Sequence, residues 1–130
     1  MEANLFLGKE VDVIPNWISW ELLHNPGASF GLLSGFPSLL VILQIIIILF
    51  IIFIYLRSHP KSFSVQLGFA LIISGALGNL IDRISLGYVI DFISFRWWIA
   101  IFNIADVEIR TGALLLLYFY LLKFRTLKNQ

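Results

Sequence analysis

The sequence predicts an all-α membrane protein: three transmembrane helices, a small external β-sheet cradle and a short interfacial helix, forming one domain over residues 1–130. Three observations lead there. Of the residues, 59% are hydrophobic and 13% charged, with a mean hydropathy of +0.91, against about one-quarter charged in a soluble chain. Two stretches of twenty residues carry no charge, and a third apolar run closes the chain before a basic tail. The segments between these runs carry strand and turn patterns instead.

The first helix is expected over 37–56 (PSLLVILQIIIILFIIFIYL), a run long enough to cross a hydrocarbon core of ~30 Å. Arg57, His59, Pro60 and Lys61 end it. The second is expected over 62–83, since residues 62–81 are again uncharged, and the third over 105–123. Asp106, Glu108 and Arg110 fall in the first turns of that third helix, so its charged end belongs at a surface or in a protein-lined cavity. Residues 1–36 read as external strands and loop, because NWISWELLHNPGASFGLL alternates aromatic and polar residues around a Pro-Gly turn signal. Residues 84–104 read as an external strand, GYVIDFISF, followed by an interfacial segment in which Trp97 and Trp98 suit a short helix lying at the membrane surface.

Lys and Arg in short loops set orientation. Arg57 and Lys61, with Lys123, Arg125 and Lys128, assign the 57–61 loop and the tail to the cytoplasmic side, and segments 1–36 and 82–107 to the outside. The acidic start MEANLFLGKEVDV is not the basic leader of a cleavable signal peptide. Three helices then leave the N-terminus outside, and an upstream helix, lost by truncation or by a wrong start at Met1, would complete the topology.

Several functions are excluded by composition. A net charge of +1 leaves no basic face for a phosphate backbone, which argues against nucleic acid. Without cysteine there are no disulfides, thiol nucleophiles or thiolate metal sites, and His24 and His59 alone are little from which to build a zinc site or a Ser-His-Asp triad.

The polar residues are concentrated at one end. Asn79 and Asp82 are three apart, and Asn79 and Arg83 four apart, so they share a helix face, and Gly75 and Gly78 let a neighbour approach it closely. An ordinary helix end, with Arg83 reaching headgroups and Asp82 balancing it, explains those two equally well. Asp106 also has a plain reading, as a first-turn acid favoured by the helix dipole and paired with Arg110 four residues on. Asp91 is harder to explain, because Asp is depleted in strands and the nearest cation, Arg96, would point to the opposite face. If Asp91 and Asp106 meet, two carboxylates sharing one proton could activate water against a carbonyl. Their fifteen-residue separation neither forces nor forbids that meeting.

Four blocks carry a family resemblance: Asn25-Pro26-Gly27-Ala28-Ser29-Phe30-Gly31; the run from Gly75 through Asn79 to Asp82-Arg83; Gly87-Tyr88-Val89-Ile90-Asp91-Phe92-Ile93; and Phe102-Asn103-Ile104-Ala105-Asp106. In this order and spacing the chain resembles lipoprotein signal peptidase, also called signal peptidase II, the bacterial membrane aspartyl protease. The resemblance extends from about Leu5 to the end of the third helix. It implies that Asp91 and Asp106 are the catalytic pair, that Asn25, Asn79, Arg83 and Asn103 line the site and position the peptide or the pair, and that Asp82 and Gly27 support it. It implies a prolipoprotein substrate whose cysteine carries a diacylglyceryl group, cut just before that cysteine, and no metal or organic cofactor. The protein is expected to be a monomer among membrane lipids, multi-pass in the bacterial cytoplasmic (inner) membrane, with its site at the outer face.

The family normally has four helices, the first followed by an Asp-Gln-x-Thr/Ser-Lys segment, and neither is found here. Val107-Glu108 also stand where small or hydroxyl residues are expected. The competing reading is a catalytically inactive, truncated membrane module binding lipid or peptide. A channel subunit is disfavoured, because the carboxylates cluster at one surface and no polar stripe crosses the first two helices.

Overall fold

The structure, a computed structural model, describes residues 10–27, 33 and 35–128. Three strands, β1 (Glu10–Ile14), β2 (Ile18–Asn25) and β3 (Val89–Phe95), form one antiparallel sheet in the order β1-β2-β3. Three helices, α1 (Pro37–Ser58), α2 (Phe63–Leu86) and α3 (Ile104–Lys128), make up the rest. Residues 1–9 of the expected external segment, and Ala28 to Gly31 of the first block, lie outside the described residues.

The β1–β2 hairpin turns at Asn16, whose φ of 65° is one that asparagine tolerates better than most residues. Both strand pairs contain a register shift, after Asp12 in the first and after Trp20 in the second. Arg96 fastens the open edge, donating to Asp12 Oδ1 at 3.0 Å and lying 3.7 Å from Glu10 Oε1. It thus points away from Asp91, as the odd spacing requires.

Proline at the first turn opens α1, where its missing N–H costs nothing. The helix ends at His59 in the left-handed region, with Pro60 next. α2 stops at Gly87, whose φ of 84° and N–H bond to the Arg83 carbonyl at 3.0 Å close it. Both α1 and α2 are long and apolar enough to cross a membrane. α3 is as long, with Asp106, Glu108 and Arg110 at one end and Lys123, Arg125 and Lys128 at the other. Most large apolar side chains on α1 face outward, a pattern suited to lipid and unsuited to water.

α2 and α3 run antiparallel at close range. A Cβ on Gly75 would collide with the Ala105 carbonyl, and one on Gly112 would stand 2.5 Å from the Gly68 carbonyl. Absent side chains at these crossings let the backbones meet, as packing in a bilayer favours.

The expected short interfacial helix does not form. Residues 96–101 make a turn, with Trp98 N–H bonded to the Phe95 carbonyl at 2.9 Å, after which Phe102 pairs back onto Ile93. That pairing begins seven residues after Phe95, so a helix would have to fit into fewer than two turns, too few to offset the cost of nucleating it. Trp97, Trp98 and Ile99 project outward from this turn, Ile99 almost completely exposed.

Candidate active site

The sheet delivers one acid and the α3 terminus the other. Val89 and Asp91 are both buried on the inward face of β3, and Asn25 pairs with Val89 across the ladder. Asn25 and Asp91 are therefore diagonal neighbours on one sheet face. Asn25 Nδ2 donates to Asp91 Oδ2 at 2.9 Å, while its own Oδ1 accepts the Gly27 N–H at 3.1 Å.

Asp106 is fixed by the start of α3. Asn103 Oδ1 accepts the Asp106 N–H at 2.9 Å and Asp106 Oδ2 accepts the Asn103 N–H at 3.5 Å, a reciprocal cap of the kind that satisfies two free helix-end donors. The three-residue spacing in Asn103-Ile104-Ala105-Asp106 is thus a capping geometry, and it turns the first-turn acid toward α2. Asn79 Nδ2 then donates to Asp106 Oδ1 at 2.9 Å.

Asn103 links the two halves. Its Nδ2 donates to Asp91 Oδ1 and to Asn79 Oδ1, each at 2.9 Å, spending both amide hydrogens. Asp91, Asn103, Asn79 and Asp106 form a continuous hydrogen-bonded chain, of which the first three members are buried. The acids remote in sequence are brought to one place. Arg110 does not pair with Asp106 as the helix spacing suggested: its guanidinium lies 4.9 Å over the Phe102 ring. Glu108 also points away, its Oε2 accepting from Ser74 Oγ at 2.9 Å.

Burial raises Asp91 from 3.8 to about 6, and the like charge of Asp106 adds to this, while amide donors from Asn25 and Asn103 and the Arg83 charge oppose it. A carboxyl group so tuned can hold a proton near neutral pH and exchange it.

Arg83 donates from Nη2 to the Gly27 carbonyl at 2.7 Å and from Nη1 to Gln44 Oε1 at 3.1 Å. Asp82 accepts the Ile90 N–H at 3.3 Å, tying the end of α2 to β3. Asp82 and Gly27 thus brace the site and are not among the residues lining its cavity. That cavity, about 760 Å³, has polar walls at Asn25, Gln44, Asn79, Arg83, Asp91, Asp106 and Arg110, and apolar walls at Leu40, Leu43, Ile47 and Ile51 of α1 and Ile109 of α3. Trp98, Ala100 and Ile101 close its rim. Among the described residues no three His, Asp or Glu side chains stand close enough to hold a metal ion.

Sequence reasoning missed Gln44. Its signal is one amide inside an otherwise apolar twenty-residue run, and it lines the cavity.

Comparison with known proteins shows the family. The sequence matches the family signal peptidase (SPase) II over residues 1–122. It is 38% identical over 118 residues to the lipoprotein signal peptidase of Clostridium novyi, covering 88% of this chain and 80% of that protein. The Brucella ovis lipoprotein signal peptidase is 35% identical over 117 residues, covering 87% and 72%. A bacterial membrane enzyme solved by the in meso method at 2.3 Å superposes with a TM-score of 0.83 and 34% identity, over 91% of this chain and 73% of that one. A second, at 1.9 Å, gives 0.84 and 31%, over 93% and 80%. The resemblance seen in the four sequence blocks is borne out: the chain belongs to the signal peptidase II family of membrane aspartic endopeptidases, the lipoprotein signal peptidases.

Proposed function

We propose that Asp91 and Asp106 together hydrolyse the peptide bond preceding a diacylglyceryl-modified cysteine in a prolipoprotein. The observation that carries this is the hydrogen-bonded chain Asp91–Asn103–Asn79–Asp106 at the polar end of a cavity whose remaining walls are mostly apolar. Acyl chains can lie along Leu40, Leu43, Ile47 and Ile51 while the scissile bond meets the acids.

The two carboxyl groups hold one proton between them. The ionised one takes a proton from water as the water oxygen adds to the carbonyl carbon, and the protonated one donates to the carbonyl oxygen. Collapse of the intermediate breaks the carbon–nitrogen bond, and the cysteine nitrogen leaves with a proton. Asn25, Asn79 and Asn103 orient the carboxylates, and Arg83 supplies positive charge beside both.

Several features favour a site at the outer face of a bacterial cytoplasmic membrane. The end of α2 and the start of α3 meet β3, and the start of α1 lines the same cavity as the sheet residue Asn25, while Arg57, Lys61 and the basic tail lie at the far ends of the helices. α3 packs along α2 at Gly75 and again at Gly112, so it shares the depth of a membrane-crossing helix and serves as a third span. The exposed Trp97, Trp98 and Ile99 would rest in the lipid boundary. An inactive binding module is less supported, since it leaves two tethered carboxyl groups and a proton-holding Asp91 without a task.

Asp91→Asn and Asp106→Asn, assayed separately on a diacylglyceryl prolipoprotein, should each lose at least about 10²-fold in turnover. Wild-type turnover in either variant rejects the pair.

A further inference from the structure

The hydrogen bonds of Gln44 define a task that the site as described leaves unassigned. Gln44 lies seven residues into α1, about 10 Å along the helix from Pro37. An amide at that depth needs partners for both its ends, because lipid offers none. Its Nε2 donates to the Ala76 carbonyl of α2 at 2.7 Å, and its Oε1 accepts from Arg83 Nη1 at 3.1 Å. Arg83 Nη1 also reaches the Asn79 carbonyl at 3.4 Å, and its Nη2 holds the Gly27 carbonyl at 2.7 Å.

We infer that Gln44 is a positioning residue for the hydrolytic site: it fixes the guanidinium of Arg83 in the wall of the cavity that both acids line, from a helix that supplies no acid itself. Arg83 has a long side chain with several rotatable bonds, and its helix brings it near the cavity without choosing its rotamer. The Gly27 carbonyl holds it from the loop side and Gln44 from the membrane side. Without Gln44 the guanidinium keeps only the Gly27 carbonyl and the long contact to the Asn79 carbonyl at 3.4 Å. The donor half of Gln44 anchors it to α2, so the acceptor half is presented at a set depth. The two halves therefore do different work, one crosslinking helices and the other holding a charge.

This inference rests on the proposed peptidase reading, and the test separates the two. Gln44→Met keeps volume and apolarity and loses both bonds. Gln44→Glu keeps an oxygen for Arg83 and loses the donor to Ala76. Turnover of a diacylglyceryl prolipoprotein, melting temperature, and the exchange rate of the 15N-labelled Arg83 guanidinium protons are measured for all three proteins.

The Met variant should melt only slightly below wild type, as the loss of its hydrogen bonds to α2 implies, lose about tenfold or more in kcat with KM changed less than about threefold, and show faster guanidinium exchange, the effect of a misplaced group. The Glu variant should stay within about threefold of wild type in kcat. Wild-type kcat in the Met variant overturns the inference. So does an equal fall in both variants, with or without loss of folding, since that outcome makes Gln44 a helix crosslink only. If the wild-type protein fails to cleave, the peptidase reading falls, and the Gln44–Arg83 tether is still decided by guanidinium exchange alone.

Discussion

Asn103 and Asp106 cap each other: the Asn103 side chain accepts the Asp106 N–H at 2.9 Å and the Asp106 carboxylate accepts the Asn103 N–H at 3.5 Å. The device that starts α3 is therefore the one that aims an acid, and of the spare amide hydrogens of Asn103 one holds the other acid and one holds Asn79. Helix initiation and site assembly are one event here.

Asn103→Ser separates these roles. A serine hydroxyl still caps the helix but cannot reach Asn79 and Asp91 together. It should therefore be more stable than Asn103→Leu by about 1 kcal/mol, the usual worth of an N-cap, while both lose turnover by about 10²-fold. Thermal melting and prolipoprotein cleavage on the two variants check this; equal stability would show that the cap contributes nothing.

The proton affinity of Asp91 sets a direction for pH. Its carboxyl group is raised from 3.8 to about 6 in the folded protein, chiefly by burial. The folded chain thus keeps a proton there that the unfolded chain has released. That contribution to stability is present in full below 3.8 and is lost as pH rises through about 6. Asp106→Asn removes a like charge and should move the midpoint down, whereas Asn25→Leu removes a donor to the carboxylate and should move it up. The carboxyl infrared band, followed from pH 4 to pH 8, reads both shifts.

The helix crossing gives a contrast between two glycines. Gly75→Ala and Gly112→Ala each force a Cβ against backbone and should each cost about 1–3 kcal/mol. Gly75 abuts Ala105, next to Asp106, while Gly112 lies six residues further along α3. Turnover per folded molecule should fall in the first variant and hold in the second.

At the sheet edge the expected effect is nil. Arg96→Ala removes exposed contacts to Asp12 and Glu10, and pairs of this kind contribute little in water. Melting and cleavage should both match wild type; a loss of turnover would connect the edge to the site.

The helices were legible in the sequence because lipid demands long charge-free runs, and β2 and β3 because aromatic and β-branched alternation is hard to mistake. The turn at 96–101 was not, since two adjacent tryptophans suit an interfacial helix and an interfacial turn alike, and only the Ile93–Phe102 pairing decides between them. Among the site residues, Asn79, Arg83, Asp91 and Asp106 stood out as polar groups in a greasy chain, whereas Asn25 and Asn103 were marked only by the family resemblance. The structure gathers five of the six round one cavity, and Asn103 links Asp91 to Asn79 from behind its wall. Gln44 escaped notice because a single uncharged amide hardly changes the apolarity of its run, and its partners lie thirty-two and thirty-nine residues away.

The apolar wall formed by α1 has a kinetic consequence. A molecule that reaches the acids along Leu40, Leu43 and Ile47 arrives sideways, through the plane of the bilayer, so its encounter rate follows its surface density and not its amount per litre. Swelling the vesicles with inert phospholipid, at constant protein and substrate in the tube, would slow cleavage as steeply as dilution slows a reaction in water.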